Sequence, residues 1–595
     1  MNVFYEEDGA FKAGSILVDN STSLQVESSH GKRSKIKAAS VLIRFSGHGL
    51  SEFMEAAQKI SEEIDPDFLW ECCPEEEFSF EELGNEYFGH TPSSVEGAGV
   101  LIRLHHSPMY FYKKGKGKYR AAPVDALKAA LAGLEKKKRL AELQASISSK
   151  LVERKLPEEF EGMLPRLVYD PDKNSVEYKA LLSACEQTGL SIPALLQECG
   201  AISSSHDYHL DRFFFENFPK GLPLLERCEI ASPEVPAGNA KAFSIDDATT
   251  TEIDDAFSVS PLPGGKFSIG IHIAAPSIGI MKGSEADLHA QKMLSTIYIP
   301  GRKFTMLPQE GIDIFTLSEK RICPVLSLYL EVSPDFEVLS ARNMLESIEI
   351  ASNLRHETID SSCPFSKELD ILLSFADKLE ALRGKSGNAG QIDYSFHVED
   401  DRVSITERQR GAPLDRIVSE LMIYANTEWA RQLSDSGYAA IYRSQMNGKV
   451  KHETVPAPHQ GLGVPQYAWT TSPLRRYVDL VNQRQLLSMM SGNPPSYEKE
   501  EIQVFMRDFD QAHDLYNNLQ RTMERYWCLK WLIQENVSKI GATVQRENWV
   551  KLDSIPLNCK VPSLPEMQTG SRVMLEISHI DLLELSLHAR FAERI

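Results

Sequence analysis

Phe243-Ser-Ile-Asp-Asp-Ala-Thr-Thr-Thr-Glu-Ile-Asp-Asp-Ala-Phe257 places five carboxylates, Asp246, Asp247, Glu252, Asp254 and Asp255, within ten residues. Its flanks alternate apolar and polar, with Phe243 and Ile245 before the acids and Ile253, Phe257 and Val259 among and after them. That pattern predicts two short strands enclosing a Thr-rich turn. Crowded carboxylates raise each other's pKa unless a cation sits among them, and oxygen-only ligands suit Mg²⁺ or Mn²⁺. A metal held this way can polarise a phosphoryl group and activate water. The competing reading is a solvated acidic turn. Against it stand the interleaved apolar residues and a complementary motif far downstream.

That motif is Trp469-Thr-Thr-Ser-Pro-Leu-Arg-Arg-Tyr-Val-Asp-Leu-Val-Asn482. Ser472 or Thr471 before Pro473 predicts a helix start, a hydroxyl cap followed by Pro at the first helical position. Leu474, Tyr477, Val478 and Val481 supply an apolar helical face. Arg475 and Arg476 then fall in the first turn, where the helix dipole normally favours acids. Cations there suit a phosphate, gripped by backbone N–H groups and a guanidinium fork together. Arginines that merely face solvent are the alternative.

The spacing Asp246-x5-Glu252-x-Asp254-Asp255-Ala256, then Tyr298-Ile-Pro-Gly with Met306-Leu-Pro308, then Glu420-Leu-Met-Ile-Tyr-Ala-Asn426, then Thr471-Ser-Pro-Leu-Arg-Arg-Tyr477, resembles the RNase II/RNase R (RNB) family of 3'-to-5' exoribonucleases. The resemblance covers roughly residues 230 to 536. It implies metal ligation by Asp246 and Asp255 foremost, with Glu252 and Asp254 completing the acidic metal site and Asp254 the most critical carboxylate. Arg475 would clamp the scissile phosphate. Tyr298 and Tyr394 would sandwich the last bases, which tolerates any sequence. Glu420 would accept from the ribose 2'-OH, and Glu524 would lie near the active site. Arg476, beside Arg475, is counted with these RNA-binding groups. Two departures stand out: Glu252 where the family usually has Asp, and Ala275 where it commonly has Asp after His272-Ile-Ala.

The expected fold is multidomain α+β. Residues 1–70 alternate in short segments and read as a small β-barrel-like domain. Residues 71–160 read as a helical connecting region, acidic and then basic. Residues 161–225 outline a winged-helix-like module. Residues 226–536 are the catalytic domain by resemblance. Residues 537–595 alternate again and read as an OB-like barrel for RNA. Within the connecting region, Met109-Tyr-Phe-Tyr-Lys-Lys-Gly-Lys-Gly-Lys-Tyr-Arg120 interleaves aromatics with cations, fit either to stack bases or to send its rings into a core.

The 595 residues carry a formal net charge of −20, which is unfavourable for a nucleic-acid binder. Its distribution is uneven: residues 100–155 hold fourteen Lys/Arg against four acids. Local basic tracks on an acidic exterior still suit RNA. The first residues carry neither a basic n-region nor an apolar h-region, no run approaches membrane-spanning length, and the nine cysteines form no CxxC pair. A soluble, cytoplasmic protein without disulfides, membrane contact or organic cofactor is expected, acting as a monomer on single-stranded RNA. The reading is a Mg²⁺-dependent (Mn²⁺ possible) processive exoribonuclease releasing nucleoside 5'-monophosphates. The alternative is a noncatalytic RNA-binding protein on a degenerate scaffold.

Overall fold

The computed structural model describes residues 1–223, 228–247, 250–355, 364–385 and 392–595. The chain divides into two compact units, Met1–Phe160 with Asp172–Gly189, and Glu161–Pro171 with Leu190–Ile595. The segment 161–225, read as one module, is thus shared between the two. The border drawn at 225/226 lies outside the described residues.

In the first unit, strands Asn2–Glu7, Ala10–Asn20, Ser23–Glu27, Arg33–Lys37 and Val41–Phe45 form an antiparallel sheet with Arg33–Lys37 and Val41–Phe45 at its edges. Phe4 and Phe45 from this sheet pack with Phe53 of helix Leu50–Glu63, the rings of Phe45 and Phe53 stacking at 3.6 Å. Residues on both sides of position 70 share this core, which also takes in Leu101 and Leu104 of helix Ser94–His106. The aromatic and basic stretch forms the hairpin Phe111–Gly115 and Lys118–Ala121. Tyr110, Phe111 and Tyr119 are buried in the same core, and Tyr112 alone of its rings is exposed. Burial of the rings therefore decides that ambiguity against a stacking platform. The Ala- and Lys-rich stretch is one helix, Val124–Val152.

The second unit is built on a closed barrel of five strands, Asp255–Leu262, Lys266–Ala274, Arg321–Val332, Val338–Arg355 and Ala237–Asp246. Neighbours pair antiparallel except Val338–Arg355 with Ala237–Asp246, which run parallel. Alternation sets the two faces. Phe243, Phe257, Ile269, Ile271, Ile273, Leu326 and Leu328 pack with Trp429 and Leu433 of helix Pro413–Asp435. Ala242, Ala256, Ala274, Val325 and Ile350 join a second core with Tyr477, Val478 and Val481 of helix Tyr477–Met490 and Phe509 of helix Lys499–Gln534. Between Ile271 and Ile273, on the opposite strand face, His272 is fully buried and bridges Ser258 Oγ and Ser327 Oγ, each at 2.8 Å. Gly270 leaves the space for this, since a Cβ there would sit 2.5 Å from His272 Nε2 and from Ser258 Oγ.

The last strands pair in the order Asn558–Lys560, Trp549–Leu552, Lys539–Arg546, Arg572–Asp581 and Ser586–Arg594, around Val544, Val550, Val573 and Leu575. Ala275, where the resemblance leads one to expect a carboxylate, is fully buried, its N–H donating to the Pro324 carbonyl. Among the described residues no helix is long and apolar enough to cross a membrane.

Candidate active site

Strand pairing brings the acidic stretch to one end of the barrel. Ala237–Asp246 ends on Asp246, and the chain re-enters the barrel at Asp255, the first residue of Asp255–Leu262. The residues just before Asp255 are pinned through their backbone. Ile253 N–H donates to Thr316 Oγ1 at 2.9 Å, Leu317 N–H to the Ile253 carbonyl at 3.1 Å, and Ala274 N–H to the Asp254 carbonyl at 2.8 Å. A backbone fixed in this way preorganises the carboxylates it carries.

Asp246, Glu252, Asp254, Asp255, Tyr298 and Arg475 line one cavity of about 560 Å³, together with Thr251 and Lys303. Asp254 Oδ1 accepts from Leu474 N–H at 2.9 Å and Oδ2 from Arg475 Nε at 3.1 Å. Burial raises the Asp254 carboxyl to about 7, with Arg475 and the Leu474 N–H opposing that rise. Asp255 is also pushed well above the ordinary carboxylate range, first by burial and then by the charges of Asp246 and Asp254.

The expected helix start at Pro473 does not form. The helix begins at Tyr477 with Arg476 as its cap, and residues 473–475 make a turn. The reason is where the donors go: Leu474 N–H is committed to Asp254, while Ser472 N–H donates to Asp479 Oδ1 at 2.9 Å. Arg476 does not enter the cavity. Its guanidinium makes two bonds to the buried Asp479, at 2.7 and 2.8 Å, and stacks 4.1 Å over the Trp469 ring.

Glu252 is buried, and its carboxylate accepts three hydrogen bonds. Thr296 Oγ1 donates to Oε1 at 3.0 Å, while Tyr298 OH and Lys303 Nζ donate to Oε2 at 3.3 and 2.8 Å. Lys303 escaped the sequence reading, although a signal was present. Pro300-Gly301 is a hairpin turn with Gly301 at φ +77°, and it sets Tyr298 directly opposite Lys303 in the ladder of Ile297–Ile299 and Arg302–Phe304.

The remaining sequence candidates lie away from this cavity. Tyr394, on the ribbon Ile392–Glu399 and Arg402–Gln409, has Lys551 Nζ 5.1 Å from its ring centre. Glu420 lines a second cavity of about 420 Å³. There it is held by Arg383, whose Nε donates to Oε2 at 2.9 Å and whose Nη2 donates to Oε1. Glu524 accepts from Gln520 Nε2 at 2.8 Å on helix Lys499–Gln534.

Among the described residues no three acidic, His or Cys side chains are gathered closely enough to hold a metal. The donor set nevertheless suits a hard divalent cation at Asp246 and Asp255, two oxygen ligands whose mutual repulsion a cation would relieve. Glu252 and Asp254, by contrast, already have cationic partners.

The RNB domain family matches residues 237–454 and 446–492. An uncharacterized ribonuclease of Synechocystis is 25% identical over 386 residues, 57% of this chain and 57% of that protein. Exoribonuclease 2 of Escherichia coli is 26% identical over 337 residues, 44% of this chain and 52% of that protein. The chain thus spans little more than half the length of the curated relatives it matches. The Dss1 exoribonuclease of Candida glabrata, solved as an active-site mutant, superposes with a TM-score of 0.65 at 16% identity, covering 100% of this chain and 96% of that one. At that identity the likeness speaks for the fold.

Proposed function

Since this chain carries an RNB domain, we propose that it is a metal-assisted 3'-to-5' exoribonuclease acting on single-stranded RNA and releasing nucleoside 5'-monophosphates. The observation that carries the reading is the convergence of Asp246, Asp254, Asp255, Tyr298 and Arg475 on one cavity. A divalent cation held by Asp246 and Asp255 would polarise the phosphoryl oxygen and supply a water of lowered pKa.

The chain's own residues do the rest. Tyr298 offers a ring face at the cavity wall for the terminal base, and stacking suits an enzyme indifferent to sequence. Arg475, braced by Asp254 and Ser472 Oγ, keeps 40% of its side chain exposed and can meet charge growing on the phosphate. Asp254 holds the arginine from below. Near neutrality its carboxyl can take up or release a proton, a capacity set by burial. Processive action fits a chain end threaded to a cavity that takes one terminal nucleotide at a time.

A second reading, a noncatalytic RNA-binding protein, draws support from the ion pair that ties Glu252 to Lys303. One experiment separates the two. A 5'-labelled single-stranded RNA is incubated with Mg²⁺ and either the unaltered protein or Asp254→Asn. Shortening from the 3' end, absent with the variant and on the matching DNA, supports the nuclease. Intact RNA bound equally by both proteins supports the binding scaffold.

A further inference from the structure

Lys303 lines the same cavity as Asp254 and Arg475, and the mechanism above leaves it without a role. In the ladder it is the direct partner of Tyr298, and side chains of such pairs share a face. Both groups reach the same oxygen, Glu252 Oε2. The ammonium also donates to Thr251 Oγ1. The anchoring is one-sided: the Glu252 side chain is 2% exposed, whereas 32% of Lys303 remains open. Glu252 is in turn fixed by Thr296 Oγ1, and the Thr296 N–H donates to the Arg475 carbonyl at 3.0 Å. Glu252 and Thr296 therefore link the Lys303 ammonium to the Arg475 backbone through consecutive hydrogen bonds.

We propose that Glu252 is an anchor for Lys303 and not a metal ligand, and that Lys303 Nζ is a second fixed cation that contacts the RNA phosphate beside Arg475. This rests on the nuclease reading above and adds a residue to it. A carboxylate accepting from two hydroxyls and an ammonium has little capacity left. A divalent ion placed on it would also stand against the ammonium's charge. The longer arm of Glu, compared with Asp, carries the carboxylate to the hairpin where Lys303 projects. An aromatic ring and an ammonium on neighbouring strands match a terminal nucleotide, base on the ring and phosphate on the cation.

The test uses the full chain and two readouts apart from cleavage. Mn²⁺ binding is followed by electron paramagnetic resonance without RNA. Affinity for a 5'-labelled single-stranded RNA is measured in EDTA over a salt series. Asp255→Asn is expected to weaken Mn²⁺ binding by at least about tenfold, while Glu252→Gln leaves it unchanged. Lys303→Met is expected to flatten the slope of log affinity against log salt by about 0.7, one phosphate contact on a single strand. Lys303→Arg restores the slope. The double variant Glu252→Gln/Lys303→Met, which strands no carboxylate, keeps the loss. Glu252→Gln abolishing Mn²⁺ binding, or an unchanged slope with Lys303→Met, overturns the proposal while leaving the nuclease reading intact if the unaltered protein shortens RNA with Mg²⁺. An unaltered protein that neither binds nor shortens RNA overturns both.

Discussion

Asp254 and Arg475, 221 residues apart in the chain, meet at 3.1 Å, with Arg475 Nε donating to Asp254 Oδ2. The pair is uneven, because the carboxylate side chain is 3% exposed and the guanidinium side chain 40%. Burial without full compensation is what lifts the Asp254 carboxyl to about 7.

Asp254→Asn should lower RNA hydrolysis by at least about 10³-fold while leaving RNA affinity within a small factor, whereas Arg475→Met should lose about 10²-fold to 10³-fold in rate. Single-turnover rates and binding isotherms check both. Arg475→Met should also destabilise the fold by about 2 kcal/mol, because it leaves a buried carboxylate unpaired at a partly open site. Adding Asp254→Asn to it should recover most of that loss in a thermal melt.

The same carboxyl predicts a pH effect on the metal-free protein. Its folded value, about 7, lies above the ordinary 3.8. Its contribution therefore favours folding below pH 3.8 and is lost as pH rises through 7. In EDTA, the melting temperature of Asp254→Asn relative to the unaltered protein should be higher at pH 8 than at pH 5. An equal difference at both pH values would refute the assignment.

His272 predicts the opposite trend on the acid side. Burial between Ser258 and Ser327 lowers its folded value to about 3, against 6.5 when unfolded. Protons then bind the unfolded chain first, so stability present above pH 6.5 falls as pH drops towards 3. The full effect is on the order of 5 kcal/mol. Denaturant midpoints of His272→Gln between pH 7 and 4 should show a shallower decline than those of the unaltered protein.

Tyr298 and Tyr394 should separate by mutation. Tyr298→Ala removes a ring from the cavity wall and should weaken binding of short RNA by about 1–3 kcal/mol. Tyr394→Ala removes a ring whose contact is Lys551, and short-RNA affinity should change much less. Titrations with oligonucleotides of two to five nucleotides compare them.

Glu420 should act through stability. Arg383→Met leaves its buried carboxylate without the bidentate partner and should cost about 3–5 kcal/mol. Glu420→Gln should leave the preference for RNA over DNA unchanged, since both oxygens are committed to Arg383. A collapse of that preference in matched cleavage assays would show that Glu420 exchanges its partner for the ribose.

Local pattern carried much of the reading. Alternation around Phe243 and Phe257 marked two strands, and the acids fell between them at one barrel end. The errors came where a distant partner outweighed a local rule. Ser472-Pro473 is a good helix start in isolation, yet Asp254 takes the Leu474 N–H and the helix waits until Tyr477. Arg476 looked available for phosphate until Asp479 and Trp469 enclosed it. The rings of Tyr110, Phe111 and Tyr119 read equally well as stacking platform or core, because composition does not say what lies opposite.

The sequence by itself determined the acidic stretch, the motifs that carry the family resemblance and the two alternating strands that flank the acids, each of which depends on neighbours in the chain. Only the tertiary structure decided which charges are joined: Asp254 with Arg475, Glu252 with Lys303 and Glu420 with Arg383. The reason is physical. Residue type sets what a carboxylate can do, but its charge and usefulness depend on burial and on partners brought from 37 to 221 residues away.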